Sequence, residues 1–151
     1  MILQLVQKNH KLLRTKLKKV HFPLSEQDKK DIKNLTDSMY YYKGVGIAAN
    51  QCGINKQIVI VDCHWPEDGK RSPSVLINPQ LLSATGEMLV EEGCLSCPKE
   101  FVKIKRPSNI MISYKNEDGK ELFTFAGGNL LCHCLSHELD HLKGKLIIDY
   151  V

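Results

Sequence analysis

The chain has 151 residues, 42% hydrophobic and 25% charged, close to a soluble globular average. That length suits one domain with a real core, no apolar run nears the roughly 20 residues of a membrane span, and the opening MILQLVQ leads into charges rather than a signal-peptide core. The net charge of +4 is uneven: residues 1–25 hold Lys8, Lys11, Arg14, Lys16, Lys18 and Lys19 and no acid, while the other 126 residues carry 15 basic and 17 acidic groups.

The basic segment reads first as a solvated face and second as a surface for an anionic neighbour such as RNA. No recognition motif or aromatic-basic strand pattern makes nucleic-acid binding the main task. The cytoplasm is the expected compartment, with an organelle interior as the alternative.

Ser25 is placed as an N-cap, with Glu26 and Asp28 in the first turn and Ile32, Leu35 and Met39 at helical spacing; this predicts a helix near 26–42. Lys43-Gly44-Val45-Gly46 ends it, two glycines favouring a special backbone. Residues 57–62, QIVIVD, read as a buried strand and His64 to Ser74 as a loop. Val75 to Asn78 is a short strand closed by Pro79, and residues 86–92 and 100–105 are further strand candidates. Ile110, Ile112 and Tyr114 alternate before Glu117-Asp118-Gly119-Lys120 turns the chain into Leu122–Phe125, a hairpin signal. Gly127-Gly128-Asn129 introduces a final helix near 129–143, with Gly144 as its stop. Strands joined by hairpins between two helices imply an α+β fold. Its strands are mainly antiparallel, around a C-terminal metal-binding helix and with an N-terminal helix, in a single domain over 1–151.

Six cysteines stand at 52, 63, 94, 97, 132 and 134. Without a secretion signal, reduced thiols or metal ligands are expected rather than disulfides. Cys52 and Cys63, which flank the 57–62 strand, read as small core residues.

Chemistry concentrates in His137-Glu138-Leu139-Asp140-His141. Residues four apart share one helix face, so both imidazoles can grip one metal ion, and Glu138 beside them can reach a metal-bound water. A divalent metal lowers the pKa of such a water towards 7. The bland alternative is a helix with two unrelated histidines and a solvated Glu. A catalytic site needs a third protein ligand and an open position. The third His of the longer zinc-protease pattern would fall at position 147, which is Ile. The third ligand is therefore expected upstream, and Cys94, in Glu91-Glu92-Gly93-Cys94-Leu95-Ser96, is the best candidate, as a thiolate suits zinc or ferrous iron. Cys97 keeps a rival open: Cys94, Cys97, His137 and His141 would make a closed structural Cys2His2 site, although 39 residues separate Cys97 from His137. Gly44-Val45-Gly46-Ile47-Ala48-Ala49-Asn50-Gln51 lacks the Lys-Ser/Thr ending of a P-loop and reads as close backbone approach to a ligand. Gln51 there can donate to a developing oxyanion.

Together these segments resemble peptide deformylase: Gly44 to Gln51 matches GxGxAAxQ, Glu92 to Ser96 matches EGCLS, and His137 to His141 matches HExDH. Leu76-Ile77-Asn78-Pro79 and Arg106 also resemble family positions, so the likeness spans nearly the whole chain. The resemblance implies an enzyme that removes the formyl group from N-formylmethionine of new polypeptides. It implies Cys94, His137 and His141 as metal ligands, with ferrous iron as the usual ion and zinc, nickel or cobalt able to replace it. Hydroxide on that metal attacks the formyl carbon, with Glu138 as general base and then acid. Gln51 and the Leu95 backbone N–H steady the oxyanion, and Glu92 pairs with Arg106 to brace the Cys94 loop. Gly44, Val45, Gly46 and Gly93 hold the peptide as an added strand. The implied partners are formylmethionyl nascent peptides and, through the basic segment, the ribosome; no membrane and no sequence-specific nucleic acid.

Three features depart from the family pattern. Ser136 stands where a Gln usually precedes HExDH, and the sequence ends ten residues past His141, where many bacterial members continue. His133 replaces an apolar residue near the methionine pocket, one turn before His137; it either narrows or polarises that pocket, perturbs the metal, or is a plain hydrogen-bonded helix histidine. Two other functions stay in view: a related metallohydrolase with an altered pocket, and a non-enzymatic Cys2His2 domain.

Overall fold

Three α-helices and seven strands are found among residues 1–128 and 130–150, the residues that the computed structural model describes; of Pro98 only the backbone is described. Asn129, expected at the head of the last helix, lies outside them. Ser25 starts α1 (Glu26–Tyr41): its hydroxyl accepts from Asp28 N and the Asp28 carboxylate accepts from Ser25 N, each at 3.0 Å. This reciprocal pair satisfies two backbone donors that a helix N-terminus otherwise leaves open. Lys56 holds the same turn from outside, donating to Asp28 at 2.6 Å and Asp31 at 2.7 Å.

Strand β1 (Gly46–Ala48) pairs with β2 (Ile58–Val61), and β2 with β3 (Ser74–Thr85). Between β2 and β3 the expected loop contains a short helix, α2 (Trp65–Asp68), with Pro66 in its first turn and left-handed Gly69 at its end. The strand expected to close at Pro79 instead runs on to Thr85, and two register shifts against β6 explain how. Pro79 sits in the first shift, between Ile77 and Gln80, where its missing N–H breaks no ladder bond. Asn78 beside it takes φ +50, and its amide bonds Val20 N at 2.8 Å and Val20 O at 2.9 Å.

β4 (Met88–Cys94) and β5 (Cys97–Arg106) form a separate two-stranded ribbon, longer than expected because the pairing continues to the Leu95-Ser96 turn. β6 (Asn109–Lys115) and β7 (Glu121–Gly127) form the expected hairpin, and the main sheet runs β1-β2-β3-β6-β7, antiparallel throughout. The last helix, α3 (Leu130–Leu142), stops at Gly144, φ +79, where a Cβ would lie 2.6 Å from the Arg14 backbone.

All four residues of β2 are buried, and they explain the layering. Val59 and Val61 face Leu135, Leu139 and Leu142 of α3, together with Ile110 and Ile112. Ile58 and Ile60 face Ile32, Leu35 and Met39 of α1. A strand covered on both sides reads as a continuous apolar run rather than an alternation. A third cluster, Leu13, Cys97, Ile104, Leu146 and Ile147, lies under the ribbon. Cys63 is buried as expected, Cys52 is half-buried, and among the described residues none of the six cysteines is joined in a disulfide. No helix among the described residues is long and apolar enough to cross a membrane.

Candidate metal centre

Helix α3 presents His137 and His141 one turn apart, and the ribbon turn brings Cys94 to meet them. His137 Nε2 lies 3.1 Å from His141 Nε2, which lies 3.3 Å from Cys94 Sγ. Around a tetrahedral ion with bonds of about 2.0 Å to nitrogen and 2.3 Å to sulfur, ligand atoms stand roughly 3.3–3.6 Å apart. The three residues therefore fit one divalent metal, and among the described residues these three alone bring ligand atoms together, all within 4.8 Å. Cys97 hydrogen-bonds Cys94 but stands outside the converging set. That bond and burial push the Cys94 thiol above its ordinary range. A divalent cation supplies the opposite bias, towards thiolate.

Behind the ligands lies a buried ion network. Arg106 forks onto Glu92, Nε and Nη2 each donating at 2.8 Å, and His137 Nδ1 meets the same carboxylate at 2.8 Å. Burial works against the Glu92 charge, but Arg106, His133 and His137 outweigh it and hold the carboxyl well below the usual range. With Nδ1 committed to Glu92, His137 offers Nε2 to a metal. Arg106 Nη1 also donates to Asp140 at 2.6 Å, and Tyr150 OH donates to Asp140 at 2.8 Å. Sequence reasoning gave Asp140 and Tyr150 no role. An acid three residues past His137, on the helix flank, is a signal that a cation must be found for it.

The two imidazoles are pushed apart. Burial lowers His137, yet the Glu92 bond and the nearby carboxylates prevail and raise it; burial and the His137 charge drive His141 well below its ordinary value. Burial pushes the Glu138 carboxyl up to about 7. Glu138 Oε2 is buried with no hydrogen-bond partner among the described residues, and it points at the strand where Gly46 lies: a Cβ on Gly46 would stand 3.2–3.3 Å from the carboxyl.

A cavity of about 500 Å³ opens over the centre. Gly44, Val45 and Gly46 line one side, Gly93, Cys94 and Leu95 the other, with Glu138 and His133 from α3. The glycines serve close approach rather than backbone freedom: a Cβ on Gly44 would lie 2.9 Å from Leu95 Cδ1, while the left-handed turn before it is taken by Lys43, φ +60. Gln51 is fully buried; its Oε1 accepts from Ala48 N at 2.8 Å, and its Nε2 lies 3.2 Å from Ser96 Oγ and 3.6 Å from Cys94 Sγ. His133 Nδ1 sits 3.6 Å from Glu92 Oε2 on the cavity wall. The Ser136 hydroxyl turns back to Cys132 O at 3.0 Å, away from the centre. Every site residue named from the sequence is thus at this cavity or directly behind it.

Residues 2–151 match the sequence model described as polypeptide deformylase. A peptide deformylase of Pseudoalteromonas translucida is 42% identical over 120 residues, covering 80% of this chain and 70% of that protein. The crystal structure of the Thermotoga maritima peptide deformylase superposes with a TM-score of 0.90 at 33% identity, covering 100% of this chain and 98% of that one. A class I type b peptide deformylase from Acinetobacter baumannii, solved with Met-Ala-Ser bound, gives 0.90 at 26% identity, covering 100% and 99%. With sequence, fold and a candidate metal-binding triad in agreement, the chain belongs to the polypeptide deformylase family, the enzymes that remove the formyl group from newly made polypeptides.

Proposed function

We propose that Cys94, His137 and His141 hold ferrous iron, and that Glu138 is the acid–base residue of formyl hydrolysis in a single catalytic domain over 1–151. Zinc, nickel and cobalt suit the same donor set. When bound, a divalent cation at this centre supplies polarisation of the formyl oxygen and an acidified water. Glu138 accepts a proton as water adds to the formyl carbon, and it returns that proton to the amine nitrogen as the C–N bond breaks. Formate and a free amino terminus result. The observation that carries this reading is the unpartnered Glu138 Oε2, buried beside the converging ligands and facing the cavity.

Gln51 and the Leu95 N–H, on the Cys94 side of the cavity, receive the negative charge that gathers on the formyl oxygen. Glu92, locked by Arg106, fixes the His137 ring and the base of the ribbon. The peptide lies between Val45 and Gly93 as an added strand, so main-chain bonds give affinity for any following sequence. The Met-Ala-Ser seen with the Acinetobacter relative supports a peptide in this trough. His133 forms a polar part of the wall that meets the methionine side chain. The substrate places the reaction in the cytoplasm, and Lys11, Lys16, Lys18 and Lys19 form the face that meets the ribosome. Formate release from formyl-Met-Ala-Ser, with iron- or nickel-loaded protein, tests the reading. Release that is abolished in Glu138→Ala, with metal content unchanged, is the expected result; no release by the wild type rejects it.

A further inference from the structure

The Gly44–Gly46 segment is held from outside by a cluster that no motif contains. Trp65, in the short helix α2, donates its indole N–H to Gly44 O at 3.0 Å. The Trp65 ring stands edge-on to Tyr40 with centroids 5.2 Å apart, and the Arg71 guanidinium lies over both, 4.4 Å from the Tyr40 centroid and 5.4 Å from that of Trp65. Tyr40 OH donates to Asp62 at 2.6 Å, and Ser72 N donates to the same oxygen at 2.8 Å. The β2–β3 connection is therefore fastened to α1 at several points, and through Trp65 it reaches the wall of the cavity.

The other main-chain groups of that wall are also taken. Gly44 N donates to Met39 O at 2.9 Å, and Asp62 N donates to Val45 O at 2.8 Å. Among the described residues this leaves the Val45 N–H as an open donor at the cavity. The tolerance around it is small, since a Cβ on Gly44 would lie 2.9 Å from Leu95 Cδ1 and one on Gly46 would lie 3.2–3.3 Å from the Glu138 carboxyl, so either methyl would displace its neighbour. We propose that Trp65 is a positioning residue for the peptide: its N–H clamps the Gly44 carbonyl so that Val45 N–H is aimed at a substrate carbonyl. This rests on the reading that the peptide lies along Val45. Trp65 does not touch the reacting atoms, so it governs peptide binding more than turnover.

Trp65→Phe keeps a ring against Tyr40 and removes the donor. One hydrogen bond of ordinary strength predicts a rise of about 3–10-fold in KM for formyl-Met-Ala-Ser. The calorimetric Kd for the product Met-Ala-Ser should rise by the same factor, with kcat within about twofold. Unchanged KM and Kd in an active variant overturn the proposal, as does a fall in kcat at constant KM. Because the chain has one tryptophan, the wild type supplies an independent measurement. Met-Ala-Ser should shift the emission of the zinc-loaded wild type and saturate near the calorimetric Kd, and a silent titration overturns the proposal. A wild type that binds Met-Ala-Ser yet releases no formate removes the deformylase reading and leaves the Trp65 result to stand on Kd alone.

Discussion

Glu138 owes its setting to two neighbours of opposite kind. His137 precedes it in the chain and puts it beside the candidate metal centre, and Gly46 lets it approach β1 without a side chain between them. Glu138→Gln keeps size and burial but cannot carry the proton, so kcat should fall by about 10²–10⁴, the usual range for a general acid–base group. Metal analysis of the same preparation should show full occupancy. Gly46→Ala tests the approach itself. Its methyl would press on the carboxyl, and turnover should fall, by less than the about 100-fold that a misplacement of about 1 Å can cost. An unchanged thermal midpoint would show that the loss is local. The pair His137 and His141 was legible from spacing alone, because helix periodicity is a local property. The partners that orient them were less so. Glu92 and Arg106 came from family likeness, and Asp140 and Tyr150 escaped notice, because their contacts join β5, α3 and the C-terminal turn.

At the scale of elements, α1 and the ribbon were read with different success. The α1 start was legible since Ser25 and Asp28 cap it within one turn. Ser25→Ala should cost about 1 kcal/mol in urea unfolding. Burial raises the Asp28 carboxyl, but Lys56 and the Ser25 donors outweigh it, and the net shift is downward. A carboxyl lowered on folding stabilises the native state fully above the ordinary carboxylate range, and that contribution is lost as pH falls through the lowered folded value. Asp28→Asn should therefore be less stable than wild type at neutral pH, and the gap should close in strong acid when unfolding is followed across pH. The ribbon was legible only in its middle. Its closing turn pairs Cys94 with Cys97, and neither residue signals a turn in the way that Gly119 does. The continuation of β3 past Pro79 was hidden for the same reason: a bulge that absorbs proline is decided by β6, not by β3's own residues.

The whole molecule depends on the buried exchange between Arg106 and its acids. Arg106→Met would leave the buried Glu92 charge with only the His133 and His137 imidazoles; breaking a buried ion pair typically costs up to about 3–5 kcal/mol. Arg106 holds Glu92, which orients His137, so metal binding should weaken as well, by no more than the about 10–100-fold that follows loss of a direct orienting partner. Chemical unfolding and competition with a chelator read these two effects separately. Chelation of the wild type should lower its thermal midpoint, because an ion bound only by the folded form stabilises it by mass action. The central strand β2 and its two helical covers were visible in the sequence as one apolar run, the Ile32, Leu35 and Met39 spacing, and the His137–His141 pattern stopped at Gly144. The division into two sheets was not, as the strands of the ribbon differ from the others only in their partners.

That division has a mechanical side. The candidate sulfur ligand rides on the ribbon and the imidazoles on α3, so a bound cation would act as a rivet between pieces that are otherwise joined by the contacts of Glu92 and Arg106 with the helix. Deuterium uptake should show it: stripping the ion should loosen the amides of Glu91 to Phe101 first, while those of Ile58 to Val61, enclosed on both sides, keep their protection. Loading the enzyme with metal would then be the last step of its folding as well as the first of its activity.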